Sequence, residues 1–307
     1  MHSASSSTAA QADRPEVVNR PGASAFSELR SSTVELWSSR ALLYQLAVRD
    51  VRIRYKQAAM GFAWAILMPL LIILAGIIVR SALAYVGGGD IGAGAVGVMA
   101  VKAVPWAFFV GALGFATTSL TTNATLVTKV SFPREVLPMA AVLAAAFDAL
   151  VASAALVLTL PAIGVTYSAA VLWVPYLASI LVALTTGTAL LASCGNLFFR
   201  DVKYVVQVLL TFGIFFTPVL FEPAVFGTSG LTLMMLNPLA PILEGLRLAV
   251  VEQHNLAVPL SMPGVHGDPL VVWTPLFLAY STVWAVALLV SGLAVFHRSE
   301  YLFAEYV

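Results

Sequence analysis

The sequence predicts an all-α membrane protein: six transmembrane helices, an N-terminal amphipathic interface helix, and a short re-entrant helix pair between spans five and six. Three observations carry this. Of the 307 residues 60% are hydrophobic and only 10% charged, where an average soluble domain carries about 25% charged residues. Six apolar runs are each long enough for the ~20 helical residues that cross a bilayer. The basic residues gather on one side of those runs.

Taken in order, residues 1–24 open with "MHSASSSTAAQADRPEVVNR". They are small and polar, lack the apolar stretch of a signal peptide, and read as a disordered cytoplasmic tail. Residues 25–59 form a cytoplasmic amphipathic segment. There Leu42, Leu43, Leu46, Val48, Val51 and Tyr55 recur near helical spacing, and Arg49, Asp50, Arg52, Arg54 and Lys56 crowd the later half. Two readings stay open at this point. The basic residues can attract anionic lipid, at about 1 kcal/mol each near the surface, or dock a cytoplasmic partner.

The transmembrane domain occupies residues 60–297, with spans expected at 61–82, 104–126, 136–162, 171–197, 205–221 and 270–296. Residues 298–307 form a second cytoplasmic tail. Arg14, Arg20, Arg30, Arg40, Arg49, Arg52, Arg54, Lys56, Lys129, Arg134, Arg200, Lys203 and Arg298 fall on one side of these spans. Only Arg80, Lys102 and Arg247 fall on the other. The positive-inside rule then places both termini of a multi-pass membrane protein in the cytoplasm. Arg80, near the end of its span, can snorkel to the outer interface.

The connection between spans two and three is "VSFPREVLP". Its prolines, Pro133 and Pro138, break helix geometry, and Arg134 and Glu135 sit between them at the water boundary. The outer segment 222–252 is apolar yet interrupted by Pro238 and Pro241. Two short helices meeting at Asn237-Pro238 fit it. They can dip into the outer leaflet where protein or water covers the broken backbone, or lie flat at the interface.

Several polar groups fall inside spans. Asp148 lies in the middle of the third, where a charge costs roughly 2.5–3.5 kcal/mol on insertion scales and therefore faces a partner or water. It either lines a polar pathway or is a hydrogen-bonded packing residue. The hydroxyl run "TTSLTTNATLVTK" ending span two either bonds back to its own helix or lines a path for hydroxyl-rich cargo. In span five Val208, Phe212, Phe215 and Phe216 share one face, which suits sugar rings or ordinary packing.

Other chemistries find no support. Cys194 is the single cysteine, so there is no intramolecular disulfide and no cysteine metal site. The four histidines are scattered, and no metal site is expected. A net charge of +1 implies no nucleic-acid partner. None of Lys56, Lys102, Lys129 or Lys203 follows a glycine, so there is no Walker A loop. H-E-x-x-H and G-x-S-x-G are also missing. An ATP-driven role therefore needs a second polypeptide.

Several stretches together resemble the membrane permease subunits of type-2 ABC exporters for polysaccharides such as O-antigen, capsule and teichoic acid. They are "RDVRIRYKQAAMGFAWAILMPLL" (49–71), "VSFPREVLPMAAVLAAAFDALV" (130–151), "NLFFRDVKYVVQVLLTFGIFFTPVLF" (196–221), "LNPLAPILEGLRLAV" (236–250) and "FHRSEYLFAEYV" (296–307). Their order and spacing carry the likeness. It implies a homodimer, two copies of a separate ATPase that binds ATP and Mg2+, and a glycan on a polyprenyl-pyrophosphate lipid. The chain itself would bind no cofactor and catalyse no reaction. Lys129, Phe132, Pro133, Arg134 and Glu135 would couple to the ATPase, with the interface helix beside them. Arg49, Arg52 and Arg54 could alternatively meet a pyrophosphate. Phe212, Phe215, Phe216 and Asp148 would be channel-lining candidates, and Asn237 and Pro238 would guard the outer mouth. The rivals are an exporter of a small hydrophobic compound or lipid, an ion-coupled carrier using Asp148, and a membrane-embedded glycan enzyme.

Overall fold

A computed structural model describes residues 37–56, 61, 63–87, 95–130, 132–263 and 269–306. The expected N-terminal tail, most of the Gly-rich stretch after the first span, and Ser131 lie outside the described residues. The helices are α1 (Arg40–Tyr55), α2 (Ala63–Gly87), α3 (Ala95–Thr122), α4 (Ala124–Lys129), α5 (Val136–Thr159), α6 (Trp173–Phe198), α7 (Val202–Gly213), α8 (Gly227–Met235), α9 (Ala240–Val250), α10 (Pro275–Ser299) and α11 (Phe303–Tyr306). One hairpin departs from the all-α expectation: β1 (Leu260–Pro263) pairs antiparallel with β2 (Pro269–Trp273), Met262 opposite Leu270.

Among the described residues four helical segments are long and apolar enough to cross a membrane: Val96–Thr122, Val136–Ala162, Ala169–Phe198 and Pro275–Leu302. α2 is apolar along Ala63–Val79, and Val202–Phe216 is a shorter apolar helix. The fifth expected span is thus cut short. Pro218 explains why, because it disfavours helical backbone at the residue before it, and Thr217 is extended at φ −127°, ψ 149°. The sixth begins at Pro275 rather than 270, because β2 claims the intervening residues.

The second expected span is displaced the most. Its helix begins at Ala95, nine residues before the expected start at 104, and runs straight through Pro105. A proline in a buried membrane helix is tolerated because neighbouring helices can satisfy the freed backbone. The shift moves Lys102 from an outer loop into a helix, where it is fully buried.

α3 is the centre of the molecule, packing against α2, α5, α6, α7 and α9. α6 and α10 form the closest pair, since Gly187 and Gly292 face each other where they cross. A Cβ built on Gly187 would sit 2.4 Å from the Leu288 backbone carbonyl carbon. Small residues let backbones approach in this way in membrane proteins. A main core joins α3, α5, α6 and α9. A second joins Leu46, Val127, Leu137, Leu197, Phe296 and Phe303 at the "VSFPREVLP" end. A third packs Leu231 and Met235 of α8 onto Leu270 and Val272 of the hairpin.

Candidate functional site

The loop "VSFPREVLP" is seated by the C-terminal segment. The Arg134 backbone N–H donates to Glu300 Oε1 at 3.0 Å, and its guanidinium donates to the Glu300 carbonyl at 2.6 Å and the Val127 carbonyl at 3.3 Å. Glu135 is buried, with His297 Nδ1 3.6 Å from its carboxylate. Phe303 below packs edge-on to Phe296. Arg134 and Glu135 therefore fix the shape of the loop, while among its described residues Val130 is exposed, as is Lys129 just before it, and Phe132 and Pro133 are half-buried.

α1 forms as expected and lays Leu46 and Ala47 against α5. Its apolar residues are not confined to one face, for Tyr44 and Ile53 are exposed. Its charges divide. Arg49 pairs with Asp50 at 2.8 Å and donates to Asn123 Oδ1 at 3.1 Å, at the end of α3. Arg52 and Lys56 are exposed. Arg54 forms an ion pair with Asp148 and lies over the Phe115 ring, 4.1 Å from its centroid. The Tyr55 hydroxyl donates to the other Asp148 oxygen at 2.6 Å. Burial first, and then the Asp148 carboxylate, raise the Tyr55 phenol above its ordinary pKa, so it stays a donor. Asp148 thus has two partners from α1, which is how its place in a span is sustained.

α7 has no buried residue. Phe212, Phe215 and Phe216 are exposed, as are Val205, Val208 and Leu209. Its polar residues face elsewhere: Lys203 and Gln207 join Gly114, Thr117 and Thr118 of α3 around a recess of about 240 Å³. The hydroxyls there mostly bond back to their helix, as Thr117 does to the Leu113 carbonyl at 2.6 Å. Ser119 instead meets Ser193 of α6 at 3.2 Å.

Asn237 and Pro238 form the corner between α8 and α9. The corner is held by α10: the Tyr280 hydroxyl donates to the Leu236 carbonyl at 2.6 Å and the Ser281 hydroxyl to the Pro238 carbonyl at 2.8 Å. Beyond the corner all eleven residues of α9 are buried, whereas α8 buries only Leu231 and Met235.

α9 carries a constellation that the sequence reading missed. Glu244 meets Lys102 of α3 at 2.7 Å, off the hydrogen-bond axis, and Arg247 at 2.6 Å. Arg247 also donates to Glu252 at 3.0 Å. The side chains of Lys102, Glu244 and Arg247 are 2% exposed or less. Glu244 and Arg247 lie three apart on one helix face, a spacing that signals a pair. No local pattern could have supplied Lys102.

No protein-family model matches the chain. It is similar to the O-antigen export system permease protein RfbA of Myxococcus xanthus, 30% identical over 231 residues, 72% of this chain and 84% of that protein. It is also similar to RfbA of Klebsiella pneumoniae, 26% identical over 265 residues, 86% of this chain and 94% of the relative. With the apolar helices, this likeness over most of both lengths places the chain in the family of O-antigen export permeases, the membrane subunits of type-2 ABC exporters for polysaccharides.

Proposed function

We propose that the chain is the permease subunit of an ATP-driven exporter that moves a polyprenyl-pyrophosphate-linked polysaccharide from the cytoplasm across the bacterial inner membrane. Two copies form the channel, and two copies of a cytoplasmic ABC ATPase drive it. The likeness to relatives named O-antigen export permeases carries this reading. The six spans of each copy are α2, α3, α5, α6, α7 with its following turn, and α10, with both termini inside and α8–α9 as the re-entrant outer pair. Open apolar faces on α2 (Trp64, Met68, Leu71) and on α7 (Phe212, Phe215, Phe216) support contact with a second copy and with sugar rings.

The mechanism is mechanical. ATP binding closes the ATPases against the exposed side of the "VSFPREVLP" loop, through Lys129 and Val130. Arg134 and Glu135 pass that movement to α5 and the C-terminal segment, because Arg134 is bonded to Val127 and Glu300 and Glu135 lies against His297. Arg54 and Tyr55 tie α1 to Asp148 of the same α5, so the interface helix and α5 move together. Exposed Arg52 and Lys56 remain available for the ATPase or the pyrophosphate. The pairing of Asp148 favours this anchoring role over an ion site.

The test is co-purification with an ABC ATPase followed by ATP hydrolysis with and without lipid-linked glycan. A stable complex stimulated by glycan is expected. Stimulation by a small hydrophobic compound alone would favour the rival exporter. Transport without any ATPase would favour the carrier.

A further inference from the structure

A cavity of about 380 Å³ lies between α3, α5 and α6, with α9 along its floor. Val104 and Phe108 of α3 face Ala149 of α5 across it, and Leu246 and Val250 of α9 close one side. It has no charged lining residue. The Tyr167 hydroxyl at its edge is already spent, donating to the Val157 carbonyl at 2.5 Å. The rim is open: Leu150 is 69% exposed and Ala178 is exposed beside it.

An engineered apolar cavity of about 150 Å³ stays dry and takes up benzene; this one is lined almost wholly by apolar side chains and, at about 380 Å³, has room for a hydrocarbon chain. Its walls belong to helices that are long and apolar enough to span the membrane, so the fluid at its mouth is lipid hydrocarbon rather than water. No α2 or α7 residue lines it, which places it across α3 from the faces proposed for cargo. We infer that this cavity is a binding site for one acyl chain of a membrane phospholipid, held as a structural ligand. The chain completes the packing between α5 and α6 and braces α9, whose Arg247 is committed to the charge cluster. In the proposed orientation the site lies in the outer leaflet, because its α5 residues belong to the later half of that helix.

The test uses the full chain in vesicles of phosphatidylethanolamine and phosphatidylglycerol containing a phospholipid with a diazirine in mid-chain. Cross-links are expected to concentrate on residues 146–160 and 174–182, and to be lost from those peptides in Ala149→Phe, with labelling of α2 unchanged. Ala178→Phe, at the exposed mouth, should give the same loss and does not depend on whether the core accepts the first variant. Even labelling around the protein, or undiminished labelling in Ala178→Phe, would overturn the site. A diazirine-bearing polyprenyl phosphate run in parallel should not favour these peptides; if it alone did, the occupant would be the cargo lipid and the inference would fail.

Discussion

The two ends of the molecule hold charge in different ways. Along α1, the side chains of Arg49, Arg54 and Asp148 keep between 18 and 35% of their surface, although Glu135 of the neighbouring loop is buried. At the α9 end, Lys102, Glu244 and Arg247 keep at most 2%. Partly wetted pairs are cheap to form and to break, which suits a region that must pass on movement. Dry ones are costly to assemble and worse to leave half-made. The difference implies that the α1 end adjusts while α9 is a fixed base.

The sharpest way to break this contrast is Glu244→Ala, which strands two buried cations. A loss of about 3–5 kcal/mol is expected, seen as collapse of the folded yield in detergent. Lys102→Met should cost clearly less, because Glu244 keeps Arg247. Between the two ends, Gly187→Leu forces a side chain into the α10 backbone, and roughly 3 kcal/mol of lost stability is expected from overpacking, read as a lowered unfolding temperature. Asp148→Ala comes next, at about 1.5–3 kcal/mol for hydrogen bonds to a charged group. If it proved as damaging as Glu244→Ala, the comparison would fail. Last is Gln253→Gly. Gln253 is the one described non-glycine residue with positive φ, at 55°, and its amide holds Thr166 at 2.9 Å. Relief of backbone strain and loss of that bond should nearly cancel, leaving a net change of about 1 kcal/mol or less.

What was legible follows from which forces are local. Apolar runs announce spans, so α5 and α6 fell where composition put them. The Pro-Arg-Glu corner announced a break because proline acts on its immediate neighbours. The start of α3 was hidden, since glycines precede it and Pro105 imitates a boundary; the packing of α3 against its neighbours decides otherwise. Pro218 is visible, but the apolar run continues past it to Phe221, so hydropathy alone extends α7 beyond the point where Thr217 turns extended. In the sequence Lys102 looks like a loop charge, and only the tertiary fold brings it to Glu244. The need of Asp148 for a partner is legible from its place in a span, but its partners, 93 and 94 residues away, are not.

The most direct test of the central claim is transport itself. Proteoliposomes holding the permease and its ATPase would be followed for ATP hydrolysis and for passage of lipid-linked glycan, in wild type and in Arg134→Ala with Glu135→Ala. The account predicts ATP-dependent passage in wild type, and hydrolysis without passage in the double variant, whose loop has lost its seat. Passage by wild type with no ATPase present, or full coupling in the double variant, would contradict it.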